Sequence, residues 1–196
     1  IKLSGIDENE IGTVGFHGQT VIHRAPNKLS KGKTRQLGDG QTMANKLGIP
    51  VIYDFRTKDM KEGGQGAPLC PIYHAALLKK IGATSTTAML NLGGLGNLSC
   101  YSKKYGLIAL DTGPANAPIN DWIKSFKIGQ MDIGGKIAAR GQVDKSRLIE
   151  ILKDPYFEVS FPKSLDRFDF SYKIAKGMSL EDGAATLTAL VGASVG

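Results

Sequence analysis

Cysteine is scarce in this chain. Its 196 residues hold two, Cys70 and Cys100, far apart and in no paired motif. That excludes a disulfide framework, and both are expected to be free thiols in a reducing cytoplasm. The three histidines, His17, His23 and His74, have no metal-ligand spacing with them. No apolar run approaches the ~20 residues of a membrane helix, so no membrane partner is expected. Long basic runs are missing too. The net charge is +7, but the lysines are scattered (Lys28, Lys31, Lys33; Lys79, Lys80; Lys103, Lys104) and aromatics do not interleave with them. Solvated lysine faces, or a modest pull on anionic substrates, explain the charge better than nucleic acid does. A nucleic-acid binder is kept only as a third reading, which loss of heparin retention with salt would test. No G-x-x-x-x-G-K-[ST] motif occurs, so a P-loop is not supported.

Composition is otherwise that of a soluble globular protein, 41% hydrophobic and 22% charged. The chain opens on Ile1 rather than Met and closes on "LVGASVG", inside an apolar periodic segment. The expectation is a piece of a longer protein. No internal repeat appears.

The segment "LDTGPANAPINDW", 110–122, carries most information. An apolar run, "GLIAL", leads into Asp111, and a Thr-Gly-Pro turn is expected next. Ile119, Trp122, Ile123 and Phe126 then recur with helical spacing, and Pro118 is tolerated in a first turn. Strand, turn and helix put Asp111 at a strand's carboxyl end, near a helix N-terminus. Ligands sit at such strand ends, and such N-termini suit phosphates. The competing reading is a cap.

The rest reads as an α/β fold. "TVGFHG" is a buried strand. "QTVIHR" and "KTRQLG" are short strands around a Lys/Gly/Ser loop. "DGQTMANKLG" is a helix capped by Asp39, striped by Met43, Ala44 and Leu47, and ended by Gly48. "VIYDF" is a strand ending on Asp54. "PIYHAALLKKIG" is a helix. "TAMLNLGG" and "NLSCYS" form a hairpin turning at "LG", and "GLIALD" is a third strand. "SRLIEILK" is a helix ended by Asp154-Pro155. "SLEDGAATLTALVGAS" is a helix with Ser179 and Asp182 in capping-box positions, striped by Ala184, Leu187, Leu190 and Val191.

Two glycine clusters, Gly63-Gly64-Gln65-Gly66 and Gly93-Gly94-Leu95-Gly96, are either tight turns or anion nests of backbone N–H groups. The second lies in a hairpin, which does not support a Rossmann reading. Three strand ends carry polar groups: His17-Gly18-Gln19-Thr20, Asp54-Phe55-Arg56 and Asp111-Thr112-Gly113. Together they suggest the lining of a polar cleft for a hydroxyl-rich ligand.

At this point the chain resembles the bacterial anhydro-N-acetylmuramic acid kinases. "GFHGQTVIHR", "TRQLGDGQTMA", "GIPVIYDFR", "GGQGAPLCPIYHAAL", "NLGGLGNLS", "LDTGPANAPINDW", "FPKSLDRFDF" and "EDGAATLTAL" occur in family order over nearly the whole chain. The resemblance implies a two-lobed, actin-like/ribonuclease H-like ATPase fold. Residues 1–70 would form the later part of the first lobe, 71–84 a connecting helix and 85–196 the first part of the second lobe. It implies an ATP-dependent enzyme of cell-wall sugar recycling. Such an enzyme opens 1,6-anhydro-N-acetylmuramic acid with water and phosphorylates O6, giving N-acetylmuramate 6-phosphate. The implied cofactors are ATP and Mg²⁺, the partner is a small amino sugar, and the location is cytoplasmic. A homodimer is left open.

By its place in "DTGP", the resemblance makes Asp111 the general base for the water, with Gly113 leaving room for the sugar. His17, Gln19, Thr20, Asp54 and Arg56 would bind the sugar. Arg56 would take the lactyl carboxylate, oriented by Asp54. Gly93, Gly94, Gly96 and Asn97 would approach the nucleotide phosphates. The alternatives are a structural Asp54–Arg56 pair and a core role for His17. The family's "SGTSLDG"-type loop and C-terminal adenine loop are absent, so the fragment alone is expected not to hold ATP productively. Asn120 stands where many members carry Asp, which puts a secondary carboxylate in doubt. The rival functions are a kinase for another sugar and a non-catalytic sugar- or nucleotide-sensing module.

Overall fold

A computed structural model describes residues 5–26 and 30–196. The loop expected after "QTVIHR" therefore lies partly outside the described residues. The chain divides into two compact units, Ile1–Leu69 and Cys70–Gly196.

The first unit contains β1 (Val14–Phe16), β2 (Gln19–Arg24), β3 (Lys33–Leu37), α1 (Gly40–Leu47), β4 (Val51–Tyr53) and the short α2 (Thr57–Lys61). β1 and β4 pair in parallel, with Val14 opposite Val51. β2 and β3 form an antiparallel hairpin with an irregularity between Thr20 and Ile22. α1 starts and stops as its sequence requires. The Asp39 carboxylate accepts the Thr42 N–H at 3.0 Å and its hydroxyl at 2.9 Å. These bonds hold the Asp39 carboxyl below its ordinary value. Gly48 ends the helix at φ 66°.

Burial in this unit departs from expectation. β1 is half-buried rather than buried, and Leu47 of the α1 stripe is exposed. The cause is that each sheet has two strands, too few to enclose a core. Met60 is buried, while Val21, Leu37, Ile52 and Tyr53 are exposed.

The second unit contains α3 (Pro71–Lys80), β5 (Ala88–Leu92), β6 (Leu95–Ser102), β7 (Gly106–Pro114), α4 (Asn116–Ser125), α5 (Lys145–Ile151) and α6 (Leu180–Ala193). Its sheet is an antiparallel meander, β5-β6-β7. The hairpin was expected to turn at Leu95-Gly96. It turns two residues earlier, at Gly93-Gly94, and Leu95 and Gly96 already belong to β6. β7 is also longer than expected. It runs through Asp111 to Pro114 rather than turning at Thr112-Gly113-Pro114.

The core joins α4 to α6. Trp122, Ile123, Ala175, Ala184 and Leu187 pack together. Of the expected α4 stripe, Phe126 is exposed but sets its ring edge-on to Trp122. Trp122 Nε1 donates to the Leu180 carbonyl at 2.9 Å. Ser179 caps α6 by accepting the Asp182 N–H at 3.0 Å. The Asp182 carboxylate accepts the Gln142 N–H at 2.7 Å, which ties the preceding loop to the helix start. Gly183 lies flush against the Trp122 indole, where a Cβ would collide with ring atoms.

Gly183→Ala is expected to destabilise this unit by about 1–3 kcal/mol, the usual cost of overpacking. A lowered denaturation midpoint, read by the fluorescence of the single tryptophan, checks it.

Candidate active site

Asp111 sits on β7, one of the two edge strands of the sheet, and is buried at 5% exposure. On one side it faces Asn97 of β6. The pairing shifts here: Gly96 lies opposite Gly113 and Asn97 opposite Asp111, so Thr112 is the extra residue of a bulge. On the other side a returning segment takes hold of Asp111. Its N–H donates to the Lys163 carbonyl at 3.1 Å. Its carbonyl accepts the Tyr156 hydroxyl at 2.6 Å. Its carboxylate Oδ2 accepts the Leu165 N–H at 2.9 Å. The carboxylate is therefore fixed in direction, although it does not end its strand.

Tyr156 rides on a 3₁₀ turn, Pro155–Glu158, capped by Asp154. Lys163 Nζ donates to the Tyr156 carbonyl at 3.2 Å and lies 4.6 Å from the centre of its ring. Burial pushes the Lys163 ammonium below its ordinary value. Burial, then the negative charges of Asp111 and Asp169, pushes the Tyr156 phenol well above the usual tyrosine range. Across the sheet, Cys70 Sγ donates to Asn97 Oδ1 at 3.5 Å. Burial raises that thiol, and the Asp111 charge adds to the rise. Next along α3, His74 Nδ1 and Ser99 Oγ share a buried hydrogen bond of 2.9 Å. Both cysteines are free thiols.

Sequence reasoning missed Tyr156, Lys163 and the Leu165 amide. The motif "FPKSLDR" marked the segment, but no periodicity says that it folds back on β7.

Both glycine clusters form turns tied by hydrogen bonds within the chain. The Gly93 carbonyl accepts the Asn116 N–H at 2.9 Å, and the Gly94 carbonyl accepts those of Ala115 and Ala117 at 3.1 Å. These donors open α4, so the expected phosphate-ready N-terminus is instead capped by the hairpin. In the other loop the N–H groups of Gly63, Gly64 and Gly66 go to the Met60 carbonyl, the Asp59 carbonyl and Asp59 Oδ2. Asp59 thus fills the would-be anion nest. Gly96 is needed for close approach, since a Cβ there would come within 2.6 Å of Thr112 Oγ1. The room expected beside Gly113 is taken by Ser194 and Phe157.

In the first unit, His17 follows β1, while Gln19 and Thr20 open β2, so the three do not end one strand. His17 is exposed, which removes its core reading. Thr20 Oγ1 accepts from Gln36 Nε2 at 3.2 Å, and Gln19 Nε2 donates to the Thr20 carbonyl at 3.4 Å. His17 and Asp54 meet in a cleft of about 300 Å³ with Arg35, Gln36 and Tyr53. Asp54 holds a left-handed backbone, φ 57°, which asparagine and aspartate tolerate better than most residues. Its Oδ1 accepts the Thr57 hydroxyl at 2.5 Å. Arg56 Nη1 donates to the Gly66 carbonyl at 2.6 Å, tying the strand end to the glycine loop. Among the described residues no group of three or more His, Cys, Asp or Glu is arranged to hold a metal ion. Nor is any helix there long and apolar enough to cross a membrane.

The family model described as Anhydro-N-acetylmuramic acid kinase matches residues 1–195. The chain belongs to this family. It is similar to the Anhydro-N-acetylmuramic acid kinase of Brucella anthropi, 55% identical over 196 residues, which cover 100% of this chain and 53% of that protein. The Rhizobium rhizogenes protein of the same name is 53% identical over 192 residues, covering 98% of this chain and 52% of its own. That of Paramagnetospirillum magneticum is 45% identical over 198 residues, 100% of this chain and 54% of its own. The chain thus spans about half the length of the curated relatives it matches. Its α/β elements are part of the family's actin-like, ribonuclease H-like ATPase fold.

Raised in the folded state, the Tyr156 phenol contributes stability that is whole below its unfolded pKa of about 10. That stability is lost as pH rises through the higher folded value. Absorbance titration is expected to show Tyr156→Phe removing a late-ionising tyrosine. Loss of a phenol from the group that ionises near pH ~10, with the late-ionising one still present, would contradict this.

Proposed function

We propose that the whole protein is an ATP-dependent kinase that opens 1,6-anhydro-N-acetylmuramic acid and phosphorylates O6 in the cytoplasm. Carrying the reading is the family match over residues 1–195. The fixed, buried Asp111 carboxylate supports it chemically. We assign residues 1–70 to the later part of the first lobe, 71–84 to a connecting helix and 85–196 to the first part of the second.

Asp111 is the general base. It takes a proton from water as the water oxygen bonds to the anomeric carbon. The bond from that carbon to O6 breaks, and O6 bonds to the γ-phosphorus of ATP as the bond to ADP breaks. One protein carboxylate suffices, because phosphorus rather than a proton captures the leaving oxygen; ordinary glycosidases need two acids. His17, Gln19, Thr20 and Arg56 bind the sugar. The Asp54 cleft with its left-handed backbone suits such a role, since strained conformations cluster at binding sites. Gly93, Gly94, Gly96 and Asn97 approach the nucleotide phosphates. Mg²⁺ bound with the nucleotide would neutralise phosphate charge; the described residues of this chain form no cluster for it.

The test is ADP release by the full-length enzyme. Release is expected with the anhydro sugar and not with glucose or N-acetylglucosamine. Asp111→Asn is expected to lower kcat roughly 10²–10⁴-fold with ATP affinity retained. Near-normal turnover in that variant would remove Asp111 from the base role.

A further inference from the structure

We propose that Tyr156 is a positioning residue for the reaction, holding Asp111 in line from the open edge of the sheet. The inference rests on the reading of Asp111 as the base. β7 is an edge strand at Asp111, so the outward N–H and C=O need partners. Both come from one returning segment, which also supplies the Leu165 amide to the carboxylate. The residue is therefore gripped at three atoms.

Of the three contacts only the Tyr156 hydroxyl is a side chain, and so it can be removed without breaking the chain's path. Its own position is well supported. Lys163 holds it through the Tyr156 carbonyl and ring, and Phe170 and Phe157 pack against its ring at centroid distances of 6.1 and 5.9 Å. The hydroxyl bond is short at 2.6 Å. The phenol's burial keeps it protonated and hence a donor. A bulge next to Asp111 leaves its direction poorly fixed by β6 alone, because Thr112 interrupts the pairing. Rate depends steeply on such alignment, as a displacement of about 1 Å costs on the order of 10² in rate.

The experiment uses full-length enzyme carrying Tyr156→Phe, with Lys163→Met as a second variant that keeps the Tyr156 hydroxyl and the Lys163 and Leu165 backbone groups on Asp111. Steady-state kinetics and amide hydrogen exchange are both read. Tyr156→Phe is expected to lower kcat about 10–100-fold with KM for sugar and for ATP unchanged. Exchange at the Leu165 amide is expected to accelerate while that at Leu187 and Leu190 stays put. Lys163→Met is expected to move kcat and Leu165 exchange in the same direction and by less. Unchanged kcat in Tyr156→Phe, or a loss carried in KM, overturns the proposal. Unchanged Leu165 exchange overturns it as well. If the parent enzyme does not act on the anhydro sugar, the functional reading fails, and with it the positioning role. Leu165 exchange then shows separately whether the hydroxyl secures the segment to β7.

Discussion

The outer edge of β7 is the constraint on which the second unit turns. An edge strand leaves backbone donors and acceptors without ladder partners. At Asp111 the Lys163–Leu165 segment and the Tyr156 hydroxyl take them up. The same contacts aim the carboxylate. One solution to a general problem of sheets thus yields a fixed acid group.

The opposite edge of that strand is organised by small residues. Gly96 lets β6 pass against Thr112, and the bulge there shifts Asp111 opposite Asn97. The Gly93-Gly94 turn then lends its carbonyls to the first N–H groups of α4. Hairpin, bulge and helix start therefore form one hydrogen-bonded unit. Behind it, Trp122 binds α4 to α6 through the Leu180 carbonyl and the flat face offered by Gly183. Packing far from Asp111 in sequence fixes the helix that follows it.

Local signals in the sequence suffice where the cause is local. Asp39, Gly48 and Ser179 cap as their side chains and conformations dictate, and the 3.6-residue stripe of α4 found Trp122 and Ile123. Strand ends were read less well. Thr112-Gly113-Pro114 reads as a turn after Asp111 because Thr-Gly-Pro is turn chemistry, yet long-range pairing with β6 extends the strand through it. The space beside Gly113 was misjudged for a similar reason: Ser194 and Phe157, distant in sequence, fill it. Tyr156 and Lys163 were illegible, since a residue's role in covering an edge is set by topology alone. Residues of the first unit looked buried because their pattern is apolar; its two-stranded sheets cover less than that pattern implies.

The most direct test of the account is a structure of the full-length enzyme with the anhydro sugar and a non-hydrolysable ATP analogue. The account predicts an ordered water within about 3 Å of an Asp111 carboxylate oxygen, in line with the anomeric carbon, with Leu165 still bonded to Oδ2. A sugar whose anomeric carbon faces a different carboxylate, with Asp111 sealed from any water, would contradict it.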